Sequence, residues 1–196
     1  RAFENAACIS KIVIVARACD FDAIQKASAF VTKPLTITEG GKERQESVSN
    51  GAALCGDAEY IAVHDAARPF ITPEEIETVC ADAEKYGAAT LAVPVKDTIK
   101  VAAADGTVCA TPERSTLRAI QTPQVFRAEL LRRAYETEYR PEFTDDASVV
   151  ELSGEAVFLC EGERANLKIT TPEDTVIAEA LLADREETHE TDGENI

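Results

Sequence analysis

The run Val63-His64-Asp65-Ala66-Ala67-Arg68-Pro69-Phe70 delivers an acid and a base at the end of a string of strand formers. A carboxylate can hold Mg²⁺ and a guanidinium can grip phosphate oxygens bidentately, so Asp65 and Arg68 together suit a nucleoside-triphosphate site. The plain alternative is an Asp capping a loop with an Arg paired to it. A second candidate is Gly40-Gly41-Lys42-Glu43-Arg44-Gln45-Glu46-Ser47. Paired glycines let backbone approach a ligand, and a following helix N-terminus offers N–H donors to it, although Gly-Gly is also an ordinary turn. Thr144 and Lys168 fit phosphate binding as well, with a helix cap and a solvated edge charge as their structural alternatives. His64 reads as a packing or hydrogen-bonding residue, since nothing near it resembles a triad or a metal cluster.

Alternating elements position these residues. Lys11–Ala16 is strand-prone and Asp20–Phe30 has helical spacing; Leu35–Thr38 alternates, and Arg44–Cys55 can form a helix with Val48, Ala52 and Cys55 on one face. Tyr60–Val63 is a short apolar strand, followed by a helix over Pro73–Tyr86 with Thr72 as N-cap, Pro73 at N1 and Glu75 completing a capping box. Asp65 and Arg68 thus fall in a strand-to-helix loop, where ligands of open α/β sheets bind. Gly87–Val95 is a further buried strand. The rhythm then breaks: Thr98–Val101 and Thr107–Cys109 flank the turn signal Ala104-Asp105-Gly106, which predicts a hairpin leaving the main sheet, as an interaction arm or a plain exposed hairpin. Helices follow at Arg127–Tyr139 and from a Thr144 cap to Leu152, then a strand at Ala156–Cys160, an extended Asn166–Ile169, and a last helix from Pro172 through Leu182. The pattern predicts one α/β domain over 1–183, with the arm at about 97–121, a mostly parallel sheet and helices on both faces. The acidic stretch 184–196 has little to bury and is expected to be disordered.

Composition bounds the partners. A formal net charge of -16 opposes nucleic acid and anionic membranes beyond a Debye length of about 8 Å. A small phosphorylated substrate needs local positive charge, for which Arg44, Arg68, Lys96, Lys100, Arg114, Arg118 and Lys168 are available. No apolar run approaches the 18 or so residues of a membrane span. Cys8, Cys19, Cys55, Cys80, Cys109 and Cys160 lack any C-x-x-C spacing and read as reduced core cysteines of a cytoplasmic protein rather than as three disulfides.

Six blocks occur in a telling order: Gly40-Gly41-x-x-Arg44-x-x-Ser47-Val48, the Val63–Pro69 run, Val93-Pro94-Val95-x-Asp97-Thr98-x-Lys100, Gln121-Thr122-Pro123-Gln124, Thr144-Asp145-Asp146-Ala147-Ser148 and Asn166-x-Lys168-Ile169-Thr170. Over about Lys11–Leu182 the chain resembles the 2-C-methyl-D-erythritol 4-phosphate cytidylyltransferases. The resemblance implies a Rossmann-like nucleotidyltransferase fold and transfer of CMP from CTP to a polyol phosphate. It implies Mg²⁺, or another divalent cation, on Asp65, with Lys168, Asp65 and Arg68 catalytic. Gly40, Gly41, Arg44 and Ser47 would serve the nucleotide, and Arg68 and Thr144 the reacting phosphates. Thr98 and Arg114 would bind the acceptor in a neighbouring subunit through the arm of a homodimer. Alternatives are a ribitol 5-phosphate cytidylyltransferase and a non-catalytic dimeric nucleotide-binding protein. The family also carries a strand, a Gly-rich loop with an Arg, and a Lys farther on. A unit of roughly 30 residues or more of this kind is expected ahead of Arg1. The lack of any Met fits either a proteolytic or engineered start with chance depletion, or modified methionines left out of the sequence.

Overall fold

The structure is a computed structural model and describes residues 1–137, 140 and 142–193. A one-turn helix α1 (Ala2–Asn5), which periodicity did not predict, precedes strand β1 (Ile12–Ala16), helix α2 (Phe21–Ala27) and strand β2 (Leu35–Glu39). β1 and β2 pair in parallel, from Ile12 opposite Leu35 to Ala16 opposite Glu39. Helix α3 (Arg44–Ala53) lies close on β1: a Cβ at Gly51 would sit 2.8 Å from Val15 Cγ2, so only glycine permits that approach unstrained.

Strand β3 (Tyr60–Val63) leads into helix α4 (Pro73–Tyr86), whose start forms as its sequence predicts. Thr72 Oγ1 accepts from Glu75 N–H and the Glu75 carboxylate accepts from Thr72 N–H, both at 3.2 Å. Gly87 ends α4 at φ 89°, a left-handed conformation that favours glycine. Thr72→Ala is expected to cost about 1 kcal/mol; a urea midpoint equal to the parent's would contradict the cap's contribution.

Strand β4 (Ala88–Pro94) runs into the hairpin of β5 (Val101–Ala102) and β6 (Val108–Ala110), antiparallel and exposed, with Gly106 in the turn. Strand β7 (Arg118–Arg127) returns to the sheet, followed by α5 (Ala128–Ala134), α6 (Asp146–Leu152), β8 (Phe158–Glu161) and α7 (Pro172–Gly193). The four-stranded sheet has the order β3-β7-β4-β8. β7 runs antiparallel to both β3 and β4, whereas β4 and β8 are parallel. The pairing is therefore mixed rather than mostly parallel, because the chain turns back through the hairpin instead of crossing over a helix. β1 and β2 form a separate ladder that shares no pairing with the four strands among the described residues.

Alternation along the strands puts helices on both faces. Ala89, Leu91, Val125 and Cys160 pack with Ile76, Val79, Cys80 and Ala83 of α4. Ile61, Ala88 and Phe126 pack on the other side with Leu130, Leu131 and Ala134 of α5 and Val149 and Val150 of α6.

Four further expectations are corrected. The helix predicted over 127–139 begins at Ala128, since Arg127 N–H still donates to Gly87 O at 2.9 Å and belongs to the sheet, and it ends at Ala134, after which 135–137 are turn and bend; Tyr139 itself lies outside the described residues. α6 is capped by Asp145, not Thr144. The Asp145 carboxylate accepts Ser148 N–H at 3.0 Å through one oxygen and Gln124 Nε2 at 2.8 Å through the other, a double task for which one hydroxyl is less suited. α7 does not stop at Leu182 but continues to Gly193, so the expected disordered stretch is helical as far as the described residues reach. Ala, Arg and Glu after position 182 propagate a helix already started, without needing apolar burial to do so. Its start is held by Asp174, whose Oδ2 accepts Thr171 N–H and Thr170 N–H, each at 2.8 Å. Finally, all six cysteines are free, but Cys8, Cys19 and Cys109 are exposed and only Cys80 and Cys160 are buried. No helix among the described residues is long and apolar enough to cross a membrane.

Candidate active site

The loop leaving β3 is pinned from two sides. Asp65 N–H donates to Thr122 Oγ1 at 3.0 Å, and Arg68 N–H closes a turn onto Asp65 O at 2.9 Å. His64 Nε2 lies 3.0 Å from Arg68 O and Nδ1 lies 3.1 Å from Thr122 Oγ1. A carbonyl can only accept, so Nε2 carries the proton and Nδ1 accepts from the Thr122 hydroxyl. Burial pushes the His64 pKa below its ordinary value, which suits this neutral tautomer. His64 is thus a hydrogen-bonding residue of the loop, as expected from its sequence context.

Asp65 presents its carboxylate to two cations from distant parts of the chain. Lys168 Nζ lies 2.7 Å from Oδ2, and Arg44 Nη2 lies 3.4 Å from Oδ1. Burial raises the Asp65 pKa, but the hydrogen bond from Lys168 and the charge of Arg44 outweigh it, and the carboxyl ends below its ordinary value. Lys168 is brought there by the segment after β8: Ile169 N–H donates to Ala67 O at 2.8 Å, and the buried Asn166 side chain donates to Thr122 O at 2.9 Å. Arg44, first residue of α3, makes its main contact elsewhere. Its Nη1 and Nη2 reach Oδ1 and Oδ2 of Asp146 at 2.9 and 2.6 Å, a fork-on-fork pair, and Tyr135 OH donates to the same Asp146 Oδ1. Burial opposes the Arg44 charge, yet Asp146 holds its pKa above the ordinary value. Burial and the Asp146 charge push the Tyr135 hydroxyl up.

The glycine pair sits at the carboxyl end of β2 and folds back on α3. Ser47 Oγ accepts Gly41 N–H at 3.0 Å and donates to Glu43 O at 3.1 Å. A Cβ at Gly41 would come within 2.4 Å of Glu46 Cβ, and one at Gly40 within 2.9 Å of Ser47 Oγ, so a side chain at either position forces its neighbour on α3 to shift.

Arg44, Asp65 and Lys168 are therefore joined directly, with Gly40, Gly41 and Ser47 beside Arg44 in sequence and structure. Arg68 does not take the plain alternative of pairing with Asp65. Its Nη1 and Nη2 donate to the carbonyls of Asn166 and Ile120 at 2.8 and 3.3 Å, so it clamps three segments together. Its Nε has no hydrogen-bond partner among the described residues. Thr144 is exposed just ahead of the α6 cap. Thr98 and Arg114 lie on the exposed segment between β4 and β7, where Arg114 Nη1 donates to Lys96 O at 3.0 Å; neither joins the Asp65 cluster among the described residues. Sequence reasoning gave no role to Tyr135, Thr122 or Asp146. The one available signal was the doubled acid Asp145-Asp146 at a helix start, of which only one can cap.

A divalent cation is compatible with this donor set. Each Asp65 oxygen receives one N–H donor and has a second lone pair. Mg²⁺ commonly takes one or two protein carboxylates plus substrate phosphates. No group of three His, Cys, Asp or Glu side chains able to hold an ion occurs among the described residues, so phosphate oxygens and water would complete the shell.

Residues 1–184 match the family model of 2-C-methyl-D-erythritol 4-phosphate cytidylyltransferase. The chain belongs to this family. A cytidylyltransferase of that name from Bacillus cereus is 50% identical over 154 residues, 78% of this chain and 68% of the relative. One from Caldanaerobacter subterraneus is 44% identical over 190 residues, 93% and 83% of the two. Among solved structures, the 4-diphosphocytidyl-2C-methyl-D-erythritol synthase of Anaerococcus prevotii superposes with a TM-score of 0.86 at 32% identity, covering 93% of this chain and 82% of that one. The Thermus thermophilus cytidylyltransferase gives 0.72 at 31% identity over 93% and 85%. The α/β nucleotidyltransferase fold expected from the six blocks is the fold of the family.

Proposed function

We propose that this protein transfers CMP from CTP to 2-C-methyl-D-erythritol 4-phosphate and releases pyrophosphate, a step of isoprenoid precursor synthesis by the non-mevalonate route. The observation that carries this reading is the ion-pair chain Arg44–Asp65–Lys168. It joins three of the six sequence blocks at the carboxyl ends of β2, β3 and β8, on a chain whose family has this activity.

A phosphate oxygen of the acceptor attacks the α-phosphorus of CTP; a new P–O bond forms there as the bond to the bridging oxygen of pyrophosphate breaks. No covalent enzyme intermediate is required, so catalysis is positioning plus electrostatics. Lys168 places its ammonium where negative charge builds up on the reacting phosphates. Arg44, Ser47 and the Gly40-Gly41 turn hold the nucleotide, and Arg68 and Thr144 border the phosphates, with Arg68 fixing the loop from behind. Mg²⁺ bound at Asp65 would neutralise charge on the triphosphate as pyrophosphate departs. Thr98 and Arg114 of the exposed hairpin reach the acceptor in the partner's site of a homodimer. The activity, the charge of -16 and the reduced cysteines suit the cytoplasm, with neither nucleic acid nor membrane as a partner.

The test is pyrophosphate release by the purified protein with CTP and Mg²⁺, using methylerythritol phosphate or ribitol phosphate as acceptor. Release with the first alone is expected. Release only with ribitol phosphate, or with neither, overturns the reading.

A further inference from the structure

We infer that Asp146, assisted by Tyr135, is a positioning residue that holds the Arg44 guanidinium at a set distance from the Asp65 carboxylate. The inference rests on the reading of Arg44 and Asp65 as nucleotide ligands. Asp146 is the first residue of α6 and is fully buried, against 39% side-chain exposure for Arg44 and 19% for Asp65. A buried carboxylate is costly unless several donors meet it, and even a well-made buried ion pair adds little stability over apolar packing. Here three donors converge on it: both terminal nitrogens of Arg44 and the Tyr135 hydroxyl. Such an arrangement on the flank of a catalytic cluster points to geometry rather than stability as its purpose.

The distances say what is being set. Arg44 Nη2 is 2.6 Å from Asp146 but 3.4 Å from Asp65. A charge-assisted N–H···O bond closes to about 2.7–2.9 Å when nothing restrains it. Asp146 restrains it: the planar fork is fixed on one carboxylate, and the same nitrogen touches the second only loosely. Asp65 thereby keeps its Oδ1 lightly engaged and open to a ligand, with Lys168 on the other oxygen. Without the Asp146 charge, Arg44 is free to close fully on Asp65 and compete for the position a nucleotide-bound cation takes. Tyr135 matters because it comes from the end of α5 and ties Asp146 to a second element.

Three variants separate positioning from a merely structural role. Asp146→Asn keeps the shape and removes the charge, Asp146→Glu keeps the charge, and Tyr135→Phe removes one donor. The first readout needs no substrate. In the full chain labelled at arginine, the Arg44 guanidinium, identified by its loss in Arg44→Lys, is expected to give two separate Nη signals because the fork cannot rotate. Asp146→Asn is expected to merge them, and Tyr135→Phe to speed their exchange several-fold. Merged signals already in the parent, or two unchanged signals in Asp146→Asn, overturn the inference. If Asp146→Asn does not fold, Tyr135→Phe decides alone, and unchanged exchange there overturns it.

The second readout is calorimetric titration with CTP and Mg²⁺. Asp146→Asn is expected to weaken binding about tenfold, within the coupling range of neighbouring groups, and Asp146→Glu to restore it to within about threefold of the parent on the same basis. In an Arg44→Ala background the Asp146→Asn change is expected to have no further effect. A tenfold loss in that background as well assigns Asp146 to structure alone and overturns the inference. A parent chain that neither binds CTP nor releases pyrophosphate ends the cytidylyl-transfer reading instead, and the guanidinium signals still decide the positioning.

Discussion

Lys168→Ala is expected to lower kcat about 100- to 1000-fold, the loss typical when one preorganised donor to developing charge is removed. The lysine is well placed for that effect. Its backbone is fixed by Ile169 N–H on Ala67 O and by Asn166 on Thr122 O, while its side chain is 44% exposed and can move from Asp65 to a phosphate. CTP affinity is expected to fall far less, because Arg44, Ser47 and the Gly40-Gly41 turn stay in place. Steady-state pyrophosphate release set beside direct CTP titration distinguishes the two quantities. Near-normal turnover in the variant would remove Lys168 from its role.

Phe126→Ala should destabilise the protein by about 3–5 kcal/mol, the usual range for emptying a buried aromatic site. That is a large share of the 5–15 kcal/mol typical of a folded protein. Phe126 is fully buried in β7, opposite Ile61 of β3 and Ala88 of β4, and fills the space that the small Ala88 leaves against α5 and α6. Two residues earlier on the same face, Gln124 accepts Ala147 N–H at 2.8 Å and donates to Asp145. The loss is therefore expected to loosen the start of α6, which carries Asp146, as well as the core. Urea unfolding checks it: the midpoint falls at an unchanged slope. A midpoint within error of the parent's would mean the site repacks around the missing ring.

What could be read before the fold was known depended on whether a signal was local. β3 and α4 were legible to the residue, because an apolar run and a capping box lie within a few positions of each other. β7 was not. Its middle, Gln121-Thr122-Pro123-Gln124, is polar and broken by proline, and looks like a loop. Those residues are buried because their partners, Asp145, Ala147, Glu163 and Asn166, arrive from later in the chain. The cap of α6 was misplaced by one residue for a related reason: Gln124 selects Asp145 over Thr144, and no window around 144 contains Gln124. In the site, Arg44, Asp65 and Lys168 were named from ordered blocks, but their mutual contact follows from topology. The clamp role of Arg68 rests on carbonyl positions, which side-chain identity does not encode.

The contact between Asp65 and Lys168 spans 103 residues of chain. Synthesis proceeds from the N-terminus at about 5–20 residues per second, so roughly 5–20 s pass between the appearance of the acid and that of its lysine. During that interval β3 and α4 can form, but the Asp65 carboxylate lacks that counter-charge and the loop lacks Ile169 as its anchor. The half-made loop is thus a feature of the nascent chain, and the Arg44–Asp65–Lys168 cluster closes only after Lys168 has been made.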